Sequence, residues 1–240
     1  MSGLGILVTN RLAFGAAVEQ LSLAHESRTS ICAPFLHVLP VNAAAVCTLA
    51  NPFGRETVCA SNSMAALFDE LQLDLGEGPS WDALHTRRPM IINNFQATKG
   101  ATWPALMKAS LHTGVRAVYA FPLSLGSLDI GAVSLFSNRS GGLSPAQILD
   151  AEVLVHIAAV QVLRRSLTSQ TLKTNLEDNE GYSRRVVHQA TGMVLVQLNL
   201  SAADALLIMH GHAFAHGRTV REVATDVVAR RLDFSSIPES

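Results

Sequence analysis

Two apolar runs, AVYAFPLSL (Ala117–Leu125) and LDIGAVSLF (Leu128–Phe136), flank the dipeptide Gly126–Ser127. Strand-like runs on either side of a Gly-containing two-residue step predict a β-hairpin. An antiparallel sheet with one wet face alternates apolar and polar residues, whereas these runs scarcely alternate. The hairpin therefore belongs to a sheet covered on both faces. The rest of the chain has to supply the two covers.

The preceding segments have the right character for that. Arg11 to His37 is rich in Ala, Leu and Glu with a helical rhythm, and Pro40 ends it. VNAAAVCTLA (Val41–Ala50) reads as a buried strand, NPFGRE as a turn, and TVCASN as the returning strand. Ser63–Leu75 predicts a helix with Met64, Leu67, Phe68 and Leu71 on one face. Pro79 suits the first turn of another helix, on which Trp81 and Leu84 share a side. Pro89 biases Arg88 away from helix, and MIINNF returns to strand. Ser144, Pro145 and Gln147 form a helix start, with a capping hydroxyl, a proline in the first turn and a capping-box glutamine. That helix runs to about Arg165 or beyond. Its first half is apolar nearly all round and packs on the sheet. The polar stretch that follows, with only Leu167, Leu172 and Leu176 as a sparse stripe, reads as a helical linker along which a second subunit can pair.

Bulk composition narrows the function classes. The chain is 240 residues long, 48% hydrophobic and 15% charged. No stretch is expected to approach the roughly 20 apolar residues of a membrane span, and the N-terminus lacks the pattern of a signal peptide. Cys32, Cys47 and Cys59 show neither metal nor redox spacing and suit reduced, buried thiols in the cytoplasm. A net charge of −1 excludes a broadly basic nucleic-acid binder and leaves only a local patch. No nucleophile elbow, phosphate-cradling loop or metal triad is present, so the chain is read as a non-enzyme.

The phrase LGEGPSWDALHTRRPMIINNF (Leu75–Phe95) resembles the glycine-rich LGEGP phrase of bacterial GAF domains, and GVRAVYAFPLSLGSLDIGAVSLFS resembles their closing strands. The resemblance covers about Glu19 to Leu167. It implies an α+β domain, an antiparallel sheet with flanking helices around a pocket for a small ligand, or a dimerisation scaffold without one. Related phrases often carry cysteine where this chain has Ser80, which argues against a thiol or covalent chromophore there. Glu77 has no partner for acid–base chemistry and is better explained by the turn.

The last third, RRVVHQATGMVLVQLNLSAADALLIMHGHAFAHGRTVREVATDVVARRL, reads as three short helices. Val187, Ala190, Val194 and Leu198 line the first. Gly192 in its middle costs about 1 kcal/mol against alanine, which points to close approach of a neighbouring helix or a ligand. Asn199 ends that helix in a left-handed turn. Ser201 with Asp204, and Thr219 with Glu222, are capping-box starts for the second and third. Ala205, Leu206, Met209 and Ala213 face inward on the second, and Val220, Val223, Ala224, Val227 and Val228 on the third. The pattern R-x-V-x-x-A-x-G-M, then L-S-x-x-x-A-L, then A-F-x-x-x-R-x-x-x-x-V-A-x-x-V-V, resembles an ANTAR domain over about Ser183 to Leu232. A GAF domain followed by ANTAR is an arrangement found especially in actinobacteria.

That resemblance implies a cytoplasmic, dimeric regulator whose paired ANTAR domains hold two RNA hairpins of a nascent transcript and prevent termination. The implied domains are a GAF sensor at 1–167, a linker at 168–182, an all-α three-helix ANTAR bundle at 183–234 and a tail at 235–240, with a long helix joining the two folded parts. The implied RNA contacts are Arg184, Arg185, Gln189, Thr191, Gly192, His210 and Arg218. No cofactor or metal is implied, apart from an unidentified small effector in the sensor, and no membrane partner. Two cations usual in the family are replaced, one by Thr191 and one by His210–Gly211. RNA affinity can therefore be low, rise in mildly acid buffer, or be lost. The rival reading is a sensor or dimerisation scaffold whose degenerate ANTAR module acts on protein partners. His210, His212 and His216 are read as exposed helical histidines rather than metal ligands, and Arg184 with Arg185 as either a solvated helix start or an RNA clamp.

Overall fold

The computed structural model describes residues 2–24, 29–98, 102–171 and 185–236. It divides into two compact units, Met1–Tyr182 and Ser183–Ser240. The polar stretch at 172–184, including Arg184, Leu172 and Leu176 of the expected linker, lies outside the described residues.

The first unit is built on five antiparallel strands: β1 (Ala43–Thr48), β2 (Glu56–Ala60), β3 (Met90–Ile92), β4 (Ala117–Leu125) and β5 (Leu128–Ser137). Their spatial order is β2-β1-β5-β4-β3. β4 and β5 are the predicted hairpin, turning at Gly126, which has φ 59°. Both faces of the sheet are covered, as the continuous apolar runs required. On one face α1 (Ser2–Ser22), α2 (Ala33–Val38) and α6 (Pro145–Thr171) pack on Ala44, Val46, Tyr119, Phe121, Val133 and Leu135. On the other, α3 (Ser63–Leu75) and α5 (Pro104–Ala109) enclose Ala43, Ala45, Val118 and Phe136, while α4 (Pro79–Thr86) brings Trp81 and Leu84 against Cys47 and Ala132. On α3 the inward face is Ala65, Phe68, Asp69, Leu71, Gln72 and Leu73, and Leu67 is exposed rather than inward.

The glycine-rich phrase is a piece of structural joinery. Gly76 ends α3 in a left-handed turn at φ 66°, and Gly78 precedes α4 at φ 131°, a conformation that side chains resist. A Cβ at Gly78 would also meet the Gln72 side chain at 2.6 Å. The Glu77 carboxylate accepts the Leu106 backbone N–H at 2.7 Å and so caps α5, the element with no sequence expectation. Ser80 is fully buried, its hydroxyl 2.7 Å from that of Ser134 on β5. Ser144 and Gln147 exchange hydrogen bonds at the start of α6, as the capping pattern predicts.

Two expectations need correction. Cys32 and Cys59 are not separate reduced thiols: their sulfurs are bonded, with Cα atoms 6.3 Å apart, and Cys47 is a buried free thiol. The partners are 27 residues apart, so the pairing follows from the fold and leaves no local spacing signal. Among the described helices, Pro145–Thr168 of α6 has the length and apolarity of a membrane span, contrary to the expectation that no stretch comes near it. Its Ala151, Leu154, Ala158, Ala159 and Val162 are buried in the sheet-facing core, which is how the core helix of a folded domain passes the same test. Further along, Gln161 donates to the Ser22 carbonyl and Arg165 to the carbonyls of Ala24 and Thr29, so α6 is also fastened to the end of α1.

The second unit comprises α7 (Arg185–Leu198), α8 (Ala202–Ala215) and α9 (Val220–Val228). Val187, Ala190, Val194, Ala205, Met209, Ala213, Val220, Val223, Ala224 and Val227 form its core. Asn199 is left-handed at φ 52°, Ser201 caps α8, and Thr219 with Glu222 forms a full capping box on α9. A short 3-10 turn, Phe234–Ser236, closes the bundle: Phe234 is buried and its N–H donates to the Gln197 side chain.

The tightest constraint in the sheet lies between β1 and β5. A Cβ on Gly131 would stand 1.9 Å from the Cys47 carbonyl oxygen. Backbone, unlike a side-chain tip, cannot swing away. Gly131→Ala is expected to lower the stability of the first unit by about 3 kcal/mol. Gly126→Ala, where the space is open but φ is positive, should cost only about 1 to 2 kcal/mol. Urea unfolding followed by the fluorescence of Trp81 and Trp103 measures both.

Candidate nucleic-acid interface

Helix α7 carries most of the residues that the sequence points to for RNA contact. Arg185 opens the helix, with its side chain outside what the structure describes. Gln189 and Gly192 are exposed, and Val196 continues their line at 75% exposure. Nothing lies within 4 Å of the position a Gly192 Cβ would take. The expectation of a neighbouring helix pressed against this glycine is therefore wrong for the described residues.

Thr191 is a second correction. It is buried, its hydroxyl donates to the Val187 carbonyl at 2.7 Å, and it lies 3.9 Å from the Met209 sulfur. Its place on α7 faces α8, so the side chain serves packing and is not presented to RNA. Ala190, Ala205, Ala213 and Ala224 are likewise buried, and their small size lets the three helices close together.

On α8, His210 is half-buried and Gly211 is exposed with open space around it. Leu207 and Phe214 flank them on the outer line, at 68% and 52% exposure. His212 and His216 stack with ring centroids 4.1 Å apart, and Phe234 meets His212 edge-on at 5.2 Å. Among the described residues no group of three His, Cys, Asp or Glu is placed to hold a metal. Burial pushes the His212 imidazole below its ordinary range, with the neighbouring His216 and Arg218 adding to the effect.

The charged centre of the unit lies along α9. Arg218 donates to Asp226 Oδ2 at 2.5 Å and to the Glu222 carbonyl at 3.1 Å. Arg231 reaches the other oxygen, Asp226 Oδ1, with Nε at 2.8 Å and a terminal nitrogen at 2.7 Å. One carboxylate thus holds two guanidinium groups. The hydrogen bonds from Arg218 and then Arg231 hold the Asp226 carboxyl below the usual carboxylate range. Sequence reasoning put Arg218 among the contacts, but counted Asp226 and Arg231 only toward the local charge. Glu222 and Asp226 stand four apart on α9, and Arg218 lies just before the Thr219 cap. Arg231 lies beyond α9; the left-handed Arg230, at φ 56°, turns the chain back to bring it in.

In the first unit, a cleft of about 200 Å³ is lined by Arg87, Pro89, Phe121, Pro122, Ser124, Glu152, Val155 and His156. Arg87 is already engaged there with Asp129 at 2.9 Å and with the Ser127 carbonyl at 2.8 Å.

A family model described as GAF domain matches residues 31–161, and one described as ANTAR domain matches residues 180–228. No curated protein matches the chain. Among solved structures, the GAF domain of an Acinetobacter phosphoenolpyruvate-protein phosphotransferase is similar at 12% identity and TM-score 0.48, covering 74% of this chain and 100% of that one. The corresponding domain from Coxiella burnetii gives 12% identity and TM-score 0.45, covering 71% and 99%. A GAF domain/HD domain protein from Geobacter sulfurreducens gives 19% identity and TM-score 0.45, covering 62% and 98%.

Two protonations should loosen the second unit in separate pH windows. His212 binds its proton more weakly folded than unfolded, so its contribution is present above about pH 6.5 and is lost as pH falls through its lowered value. Asp226 has a depressed value, so its contribution is present above about pH 3.9 and is lost as pH falls through that lower value. Amide exchange of α8 and α9 against pH should show both steps, the upper abolished by His212→Gln and the lower by Asp226→Asn.

Proposed function

We propose, for a chain that belongs to the GAF-domain family and carries an ANTAR domain behind it, the role of a signal-responsive regulator that binds structured RNA and promotes transcription antitermination. The first unit supplies the sensor, open to a small effector, and the second the output. In this reading two copies act together in the cytoplasm, each ANTAR bundle taking one of two neighbouring hairpins in a nascent transcript.

The observation that carries the reading is the ANTAR match on a bundle whose arginines gather at one carboxylate. Arg218 and Arg231, held by Asp226, present N–H donors at fixed positions, which suits phosphate oxygens. The uncharged line Gln189, Gly192 and Val196 offers backbone access and a side-chain amide, which suits unpaired loop nucleotides more than a duplex. Arg185, which opens α7, and its sequence neighbour Arg184 are added as phosphate contacts, and His210 as a contact beside Gly211. Such a module needs no strong net charge, because loop bases are read by stacking and hydrogen bonds while a few arginines fix the backbone.

One observation favours the rival class. Val196, Leu207 and Phe214 are large, apolar and exposed, and Thr191 has withdrawn into the core where the family has a cation. A surface of that kind also fits a protein partner.

A gel shift with paired-hairpin RNA separates the two. Arg218→Ala and Arg231→Ala should each weaken binding by about 1.5 kcal/mol, roughly tenfold. Each should also flatten the salt dependence by roughly 0.7 to 0.9 in slope for every phosphate it no longer neutralises. No binding at any salt or pH would sink the RNA reading, and binding indifferent to both variants would remove the arginine cluster from it.

A further inference from the structure

We infer that Cys32 and Cys59 form a reversible dithiol–disulfide site through which the redox state of the surroundings acts on the sensor unit. The inference uses the RNA reading in one respect. A protein that meets nascent transcripts works where cellular thiols are kept reduced, and in such a compartment a disulfide is a transient, sensing bond rather than a permanent staple.

The placement of the three cysteines supports a dedicated pair. Cys32 is fully buried immediately before α2, and Cys59 is half-buried on β2, one of the two edge strands of the sheet. The third cysteine, Cys47, lies in the α4-facing core with Trp81 and Leu84, across the sheet from the pair, which packs with the α1, α2 and α6 side. Burial, with Asp69 beside it, raises the Cys47 thiol well above its ordinary range, so little thiolate is available there. The sheet and the missing thiolate together keep Cys47 from exchanging with the pair. Oxidation therefore has one product within the chain.

The bond also has something to act on. It joins the free edge of the sheet to α2, and α2 touches α1, β1 and α6. Helix α6 is the element that precedes the second unit in the sequence. Opening the bond removes the covalent tie between β2 and the helical layer, while both remain packed in the same apolar cluster.

The chemistry is thiol–disulfide exchange with a dithiol reductant. A reductant thiolate attacks the more accessible sulfur, that of Cys59; the Sγ–Sγ bond breaks, and Cys32 leaves as thiolate and takes a proton. The second thiol of the reductant then attacks the mixed disulfide, releases Cys59 as a thiol and leaves the reductant as its own disulfide. Two electrons pass from reductant to protein, and the reverse sequence restores the bond.

The test uses the full chain in buffers of graded reduced to oxidised dithiothreitol. Samples are quenched in denaturant with a maleimide-bearing polyethylene glycol, which counts free thiols on a gel. One thiol per chain is expected at the oxidised end, three at the reduced end, and a single two-electron transition between them with helical circular dichroism unchanged. Cys59→Ser should show two thiols at every ratio. Hydrogen exchange at β2 and α2 should be slower in the oxidised folded protein than in the reduced one. Three free thiols in the most oxidising buffer, a bond that opens only in urea, or identical exchange in both states would each overturn the inference. Hairpin-RNA gel shifts on the two redox forms test the other reading separately: no binding in either form counts against RNA recognition and leaves the thiol titration standing.

Discussion

Contact between β1 and β5 at Gly131 is the constraint on which the first unit rests. The Cys47 carbonyl occupies the space a side chain would fill, so the two central strands can pair only where one of them has none. With that pairing in place, the register from Ala43–Phe136 to Thr48–Gly131 follows, and each strand sends alternate residues to opposite cores. Register matters doubly here. In a sheet with one wet face a slip by one residue exposes the core; with both faces covered it would also drive Cys47 and Ser134 into the wrong layer. The buried Ser80–Ser134 pair and the Thr57–Asp69 hydrogen bond then act as polar registration marks, since a slip would strand those groups without partners.

The second unit is held by a different balance. Its helices are short, and 9 to 14 residues are marginal as isolated helices in water. Stability has to come from burial of small apolar side chains and from saturated helix ends. Alanines at 190, 205, 213 and 224 permit close packing but each buries little area, which makes the caps count: Ser201 on α8, the Thr219–Glu222 box on α9, and the left-handed Asn199 between α7 and α8. Beside Met209, Phe234 adds a second large buried side chain to these alanine-rich interfaces. Its position beyond α9 explains why a periodicity search for helices passes over it.

How much was legible in the sequence depends on the range of the interaction. Strands β4 and β5, helix α3, the proline-marked start of α4 and the capped starts of α6, α8 and α9 were readable because apolar runs, prolines and capping residues act within a few positions. Helix α5 was not. It has six residues, too few for a periodicity, and although Pro104 marks its first turn, its cap comes from Glu77, 29 positions away. The Cys32–Cys59 bond was missed for the same reason, and the expectation of three reduced thiols followed from spacing alone. At the candidate site, Arg218 was legible from its place in a family pattern, whereas Arg231 depends on a reversal of the chain at Arg230. Thr191 failed in the opposite direction. Its alignment with a usual basic position made it look like a contact, but a short side chain that can satisfy its hydroxyl on the preceding turn turns inward, where a long cation would reach out to water.

That substitution bears on how a weakly charged bundle could hold RNA. A flexible lysine at the middle of α7 would supply attraction at the cost of its own ordering on binding. In the proposed reading the attraction comes instead from arginines that are already ordered, because Asp226 pairs with Arg218 and Arg231. The carboxylate cancels part of their charge and fixes their geometry in return. Long-range steering is thereby weakened, while less entropy remains to be lost in the encounter. A surface arranged in this way discriminates by the spacing of phosphates more than by their number. In the proposed reading it suits one folded RNA shape rather than any polyanion, which is compatible with the chain's net charge of −1.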